Sequence, residues 1–117
     1  MKERVQFGKP IGKNQGLQFK LADMQIKCET ARQMVAHAVS MQDSGKKFSM
    51  ESSIAKAYAG DAAMECASEA IQIFGGYGFS REYPVEKLLR DAKIFQIFEG
   101  TNEIQKIVIA NNLLGKF

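Results

Sequence analysis

Tryptophan is absent from the 117 residues, histidine occurs once, and proline and cysteine occur twice each. Two cysteines, Cys28 and Cys66, are too few for the disulfide framework that staples a small secreted domain. With the lone His37 they give no spacing suited to a structural metal, so no metal site is expected. Both fall in helix-like stretches and read as buried, reduced thiols, which makes a reducing compartment the default. No apolar run is long enough to span a bilayer and no signal-peptide pattern opens the chain, so membrane insertion is not expected. Charge of one sign is not concentrated either. Sixteen basic and thirteen acidic residues leave a net +3, and Lys46-Lys47 beside Gly45 reads as a solvated turn. Nucleic-acid binding needs charge clustered on one face and is not expected. Strand signals are nearly missing: Phe95-Gln96-Ile97-Phe98 could pass for one, but a lone strand has nothing to pair with.

What is present is helical. A hydrophobic content of 45% and a charged content of 25% suit a soluble globular protein, and the length fits a single domain, residues 1–117. Leu17, Leu21, Met24, Cys28, Ala31, Val35 and Ala38 alternate spacings of four and three, the stripe of a helix packed in a bundle. This predicts a helix over 15–43, beginning near Asn14 and capped by Gly45, after a turned or extended segment around Pro10. A second helix is predicted over 50–74, with Ser49 as its N-cap and Gly75-Gly76 as its stop. Seven alanines between Ala55 and Ala70 predict close neighbours on several sides of it. Pro84 opens a short helix reaching Lys93. Thr101 caps a last helix that carries Ile104, Ile107, Val108 and Leu114 on one side. The fold expected is all-α, an up-and-down four-helix bundle.

Two places invite chemistry. Gln72-Ile73-Phe74-Gly75-Gly76-Tyr77-Gly78 is a glycine-rich turn following a helix, so it is neither a Walker loop nor a dinucleotide fingerprint. It reads as a helix stop, although glycines also let backbone amides approach phosphate oxygens. The second is Phe95-Gln96-Ile97-Phe98-Glu99-Gly100-Thr101-Asn102-Glu103. Here a carboxylate stands in an apolar run, a setting that suits a general base, ahead of a glycine and a helix cap. By itself it also reads as a loop glutamate at a helix N-terminus.

Taken together the two places carry a resemblance. Gln72-x-x-Gly75-Gly76-x-Gly78-Phe79-x-x-Glu82-x(4)-Lys87-x(3)-Asp91 resembles the long C-terminal signature of acyl-CoA dehydrogenases. Glu99-Gly100-Thr101-x-Glu103-Ile104-Gln105 is similar to the segment bearing their catalytic base. Arg4-x-Gln6-Phe7-Gly8-Lys9-Pro10, with Gln15, resembles the opening of their C-terminal domain. The match covers almost the whole chain in the right order and spacing.

The resemblance implies the C-terminal helical domain of an FAD-dependent enzyme that oxidises acyl-CoA to trans-2-enoyl-CoA. In such enzymes a carboxylate removes the α-proton, a hydride leaves the β-carbon for the flavin, and electrons pass to an electron-transfer flavoprotein. Glu99 would be the base and Gly100 would lie against the acyl-CoA substrate. Thr101, Asn102 and Glu103 would contact FAD of the same subunit. Arg4, Gln15, Gln72, Ile73, Phe74, Gly75 and Gly76 would reach FAD of a neighbour, which requires a homodimer or homotetramer. A carboxylate at position 99 favours short-, medium- or branched-short-chain types, such as butyryl-CoA dehydrogenase, or a glutaryl-like enzyme. The setting implied is the cytoplasm, or the mitochondrial matrix in a eukaryote. Arg90-Asp91 reads as a structural ion pair. The chain alone, lacking the family's N-terminal and middle domains, is expected to be inactive. The competing expectation is a non-catalytic bundle acting in oligomerisation or partner binding.

Overall fold

The computed structural model describes residues 1–115. A small antiparallel hairpin opens the chain, β1 (Val5–Gln6) paired with β2 (Lys9–Pro10). Its two turn residues, Phe7 (φ +52°) and Gly8 (φ +75°), both take the left-handed conformation that a two-residue hairpin needs. A 3-10 turn, Ile11–Lys13, leads into α1 (Gln15–Asp43), followed by α2 (Ser49–Phe74), the single turn α3 (Gly76–Phe79), α4 (Val85–Ile94) and α5 (Asn102–Leu114). The fold is the all-α domain expected, with α1, α2, α4 and α5 as its four principal helices.

Local chemistry accounts for the ends. Asn14 accepts a hydrogen bond from the Gly16 amide at 3.1 Å and caps α1. At the other end, Gly45 N–H donates to Gln42 O (2.9 Å) and Lys46 N–H to Met41 O (3.0 Å). That is a Schellman motif, with Gly45 in the left-handed region at φ +68°. Helix α2 begins one residue earlier than expected: Ser49 lies inside it and Phe48 holds the cap position without a side-chain bond. Thr101 caps α5, accepting from the Ile104 amide at 3.3 Å.

Helix α2 is the hub, packing principally on α1, α4 and α5. Small buried side chains, Ala38, Ala55, Ala62 and Ala92 with Val85, let the helices approach closely. The seam of α1 against α2 keeps Leu17, Met24, Ala31 and Ala38 from the expected stripe. Between them it uses Lys20, Lys27, Met34 and Met41, all half-buried, rather than Leu21, Cys28 and Val35, which are exposed. Lys20 pairs with Glu69 and Lys27 with Glu65 across this seam. The cysteines therefore depart from the expectation of burial: Cys28 is exposed and Cys66 half-buried. Helix α5 is displaced likewise, turning Asn102, Gln105, Val108 and Ile109 inward and leaving Ile104, Ile107 and Leu114 exposed.

No large side chain among the described residues is fully buried. The chain measures 61 × 25 × 23 Å with a radius of gyration of 17.9 Å, against roughly 13 Å for a compact domain of this length. It is a long rod with many large apolar side chains exposed. Among the described residues no helix is long and apolar enough to cross a membrane.

Candidate active-site loop and cofactor-binding face

The segment between α4 and α5, residues 95–101, is a turn and not a strand. Glu99 stands at φ +54° and Gly100 at φ +87°. A non-glycine residue in the left-handed region costs about 1–2 kcal/mol, and such strain concentrates at functional sites. Gly100 suits that conformation, and a Cβ there would lie 2.7 Å from Gln105 Nε2 and displace the Gln105 amide. The Gln105 amide donates to the carbonyls of Glu99 (3.3 Å) and Gly100 (3.2 Å). The Glu99 side chain is exposed, and among the described residues none bonds its carboxylate. The Phe95 and Phe98 rings meet edge to face at 5.4 Å and, with Ile97, give the carboxylate apolar neighbours along the chain. The Glu103 carboxyl is held below its ordinary range by hydrogen bonds from its own backbone amide and from Thr101.

The ends of this loop are tied to α2 by polar groups within its alanine-rich stretch. Lys56 Nζ donates to Phe95 O (2.7 Å) and to Asn102 Oδ1 (3.1 Å). Asp61 Oδ1 accepts from Gln96 Nε2 (2.7 Å) and Asn102 Nδ2 (2.8 Å). Asn102 is 4% exposed, and both ends of its amide are used inside the chain. Lys56 and Asp61 carried a signal in the sequence: they are charges in an otherwise small, apolar stretch of helix.

The second face lies at the C-terminal end of α2. Arg4 donates to Phe74 O, placing a cation on the negative end of the helix, and its guanidinium lies 5.8 Å from the Tyr77 ring centroid. The Arg4 guanidinium packs on Gly75, which stands at φ +64°: a Cβ there would sit 2.9 Å from Arg4 Nη1 and displace it. Arg4, Gln72, Ile73 and Gly75 line one cavity of about 190 Å³ with Asn14. Gln15 opens α1 next to Asn14, and Phe74 lines the adjoining groove with Arg4. Gly76 is exposed with nothing within 4 Å of a Cβ built on it. A guanidinium with donors to spare beside an open glycine backbone fits a diphosphate.

The fold thus gathers Arg4, Gln15 and Gln72–Gly76 at one place and Glu99–Glu103 at another. Gly60, against which the Glu99 loop packs, precedes Phe74 by fourteen helical residues, about 21 Å along α2 at 1.5 Å each.

The family model for the acyl-CoA dehydrogenase C-terminal domain matches residues 1–114. The chain belongs to the acyl-CoA dehydrogenase family. It is 55% identical over 114 residues to an acyl-CoA dehydrogenase of Bacillus subtilis, covering 97% of this chain and 30% of that protein. The structure of butyryl-CoA dehydrogenase from Megasphaera elsdenii superposes with a TM-score of 0.95 at 54% identity, over 97% of this chain and 30% of that one. A chain in the structure of the electron transferring flavoprotein of Acidaminococcus fermentans, studied for flavin-based electron bifurcation, gives a TM-score of 0.95 at 50% identity. That match covers 98% of this chain and 30% of the other. The chain therefore spans about 30% of the length of these acyl-CoA dehydrogenases and their relatives. It corresponds to their all-α C-terminal domain.

Proposed function

We propose that this chain is the base-bearing domain of an FAD-dependent enzyme that oxidises short acyl-CoA thioesters to trans-2-enoyl-CoA. The observation that carries the reading is Glu99: a carboxylate that is exposed and unpaired among the described residues, held at positive φ on a loop fastened at both ends. A scaffold bundle has no use for that strain.

Glu99 would take the α-proton of the thioester, and Gly100, lacking a side chain, would let the substrate lie against the loop. Phe95, Ile97 and Phe98 would exclude water once substrate covers them, so the proton passes directly to the carboxylate. FAD, when bound, supplies the hydride acceptor. Thr101, Asn102 and Glu103 would hold it from the α5 end. Arg4, Gln15 and Gln72–Gly76 would hold the FAD of a neighbouring copy, because about 21 Å separates the two faces within one chain. Function then requires a homo-oligomer, a dimer or tetramer. Electrons would leave to an electron-transfer flavoprotein, in the cytoplasm or, in a eukaryote, the mitochondrial matrix.

The test is steady-state dye reduction by butyryl-CoA in the complete enzyme. Glu99→Gln should retain FAD and lose activity by orders of magnitude. Glu99→Asp should keep a fraction, since the carboxylate persists about one methylene away from its place. A Glu99→Gln variant as active as wild type would put the base elsewhere.

A further inference from the structure

Among the described residues none bonds the carboxylate of Glu99, so its position depends on the loop that carries it. That loop is fixed from beneath. Phe95 O receives Lys56 Nζ at 2.7 Å, Gln96 Nε2 reaches Asp61 Oδ1 at 2.7 Å, and the Asn102 amide N–H closes on Gln96 O at 3.1 Å. Asn102 joins the two charged residues of α2: its Oδ1 accepts from Lys56 at 3.1 Å, and its Nδ2 donates to Asp61 at 2.8 Å and to Ala57 O at 3.1 Å.

The chemistry of the partners fixes the orientation of that amide. An ammonium only donates and a carboxylate only accepts, so a flipped amide would face both wrongly. The amide meets both through separate atoms, oxygen to the ammonium and nitrogen to the carboxylate, and among the described residues Lys56 and Asp61 form no direct ion pair. Gly60 brings the loop close: a Cβ there would lie 3.0 Å from Phe95 O and 3.4 Å from Asn102 Oδ1. Buried polar networks of this kind specify one geometry when every member is satisfied, and the described residues leave no buried side-chain polar atom unpartnered.

We infer that Lys56 and Asp61 are positioning residues for the reaction, acting through Asn102 and Gln96 to hold the Glu99 carboxylate at the substrate. The assignment rests on Glu99 being the base. It gives two charged residues of the alanine-rich helix a task in the chemistry, exerted through the loop.

The experiment uses the complete FAD-loaded enzyme with butyryl-CoA, measuring kcat, KM, FAD content and Tm for Asp61→Ala, Asp61→Asn, Lys56→Met and Glu99→Gln. Misplacing a catalytic group by about 1 Å costs on the order of 100-fold. Asp61→Ala and Lys56→Met should therefore lose about 10- to 100-fold in kcat with KM and FAD content unchanged. Asp61→Asn keeps an acceptor oxygen and should recover part of the loss. If Asp61→Ala lowers Tm too far to assay, the Asp61→Asn and Lys56→Met split between kcat and KM decides. Wild-type kcat in these variants beside an inactive Glu99→Gln overturns the positioning role and leaves the base in place. An active Glu99→Gln overturns both.

Discussion

At the scale of single residues, Glu99 combines exposure with backbone strain, and the two have opposite consequences for stability and activity. Replacing it by glycine removes about 1–2 kcal/mol of left-handed strain but adds about 0.5–1 kcal/mol of unfolded-state entropy. Glu99→Gly should therefore leave the 117-residue chain as stable or up to about 1.5 kcal/mol more stable, by urea titration at matched protein concentration, while the complete enzyme loses activity. A clear loss of stability would show that the φ of +54° carries no strain. Glu103 gives a pH-dependent counterpart. Its carboxyl is held below the ordinary range when folded, so its contribution is present above the unfolded pKa of about 4.3 and is lost as pH falls through the lower folded value. Glu103→Gln should lower Tm at pH 7 and converge on wild type near pH 3. Equal Tm differences at both pH values would contradict this. Residue pairing was only partly legible. Arg90-Asp91, expected as an ion pair, is instead two: Arg90 bonds Glu86 at 3.2 Å and Lys87 pairs with Asp91. Neighbours in sequence point about 100° apart on a helix, whereas residues four apart share a face.

At the scale of elements, the ends of helices were readable because caps are local chemistry: Asn14, Gly45 and Thr101 each act within five residues of themselves. The faces of helices were harder. In α1 the positions Leu17, Met24, Ala31 and Ala38 belong to both the expected and the observed stripe, and the choice between Leu21 and Lys20 depends on Glu69 in α2, which no local period reveals. The network beneath the loop was invisible for the same reason, since it joins residues 35 to 46 positions apart. Two glycines separate packing from ligand access. Gly60→Ala presses a methyl on Phe95 O and should destabilise the domain by about 1–3 kcal/mol, as overpacking does, with faster amide exchange over 96–102. Gly76→Ala meets nothing and should leave Tm within about one degree while weakening FAD retention in the complete enzyme. The reverse pattern would dissociate the glycine turn from the cofactor.

At the scale of the molecule, the long rod leaves many large apolar side chains exposed. Phe19, Ile26, Phe79, Leu113 and Leu114 are each at least 60% exposed, and apolar surface of this extent marks interfaces. The isolated chain should self-associate at micromolar concentration, and light scattering that reports a clean monomer would contradict this. The same geometry separates the Arg4–Gly76 face from the Glu99 loop, so each active site would draw on two copies of the chain. Subunit complementation tests that directly. Arg4→Glu and Glu99→Gln versions of the complete enzyme, each inactive as a homo-oligomer, are co-expressed and assayed for butyryl-CoA-dependent dye reduction. Hybrid oligomers then contain some sites with both defects and some with neither, so activity should return to a substantial fraction of wild type. Hybrids as inactive as their parents would contradict the division of the site between copies.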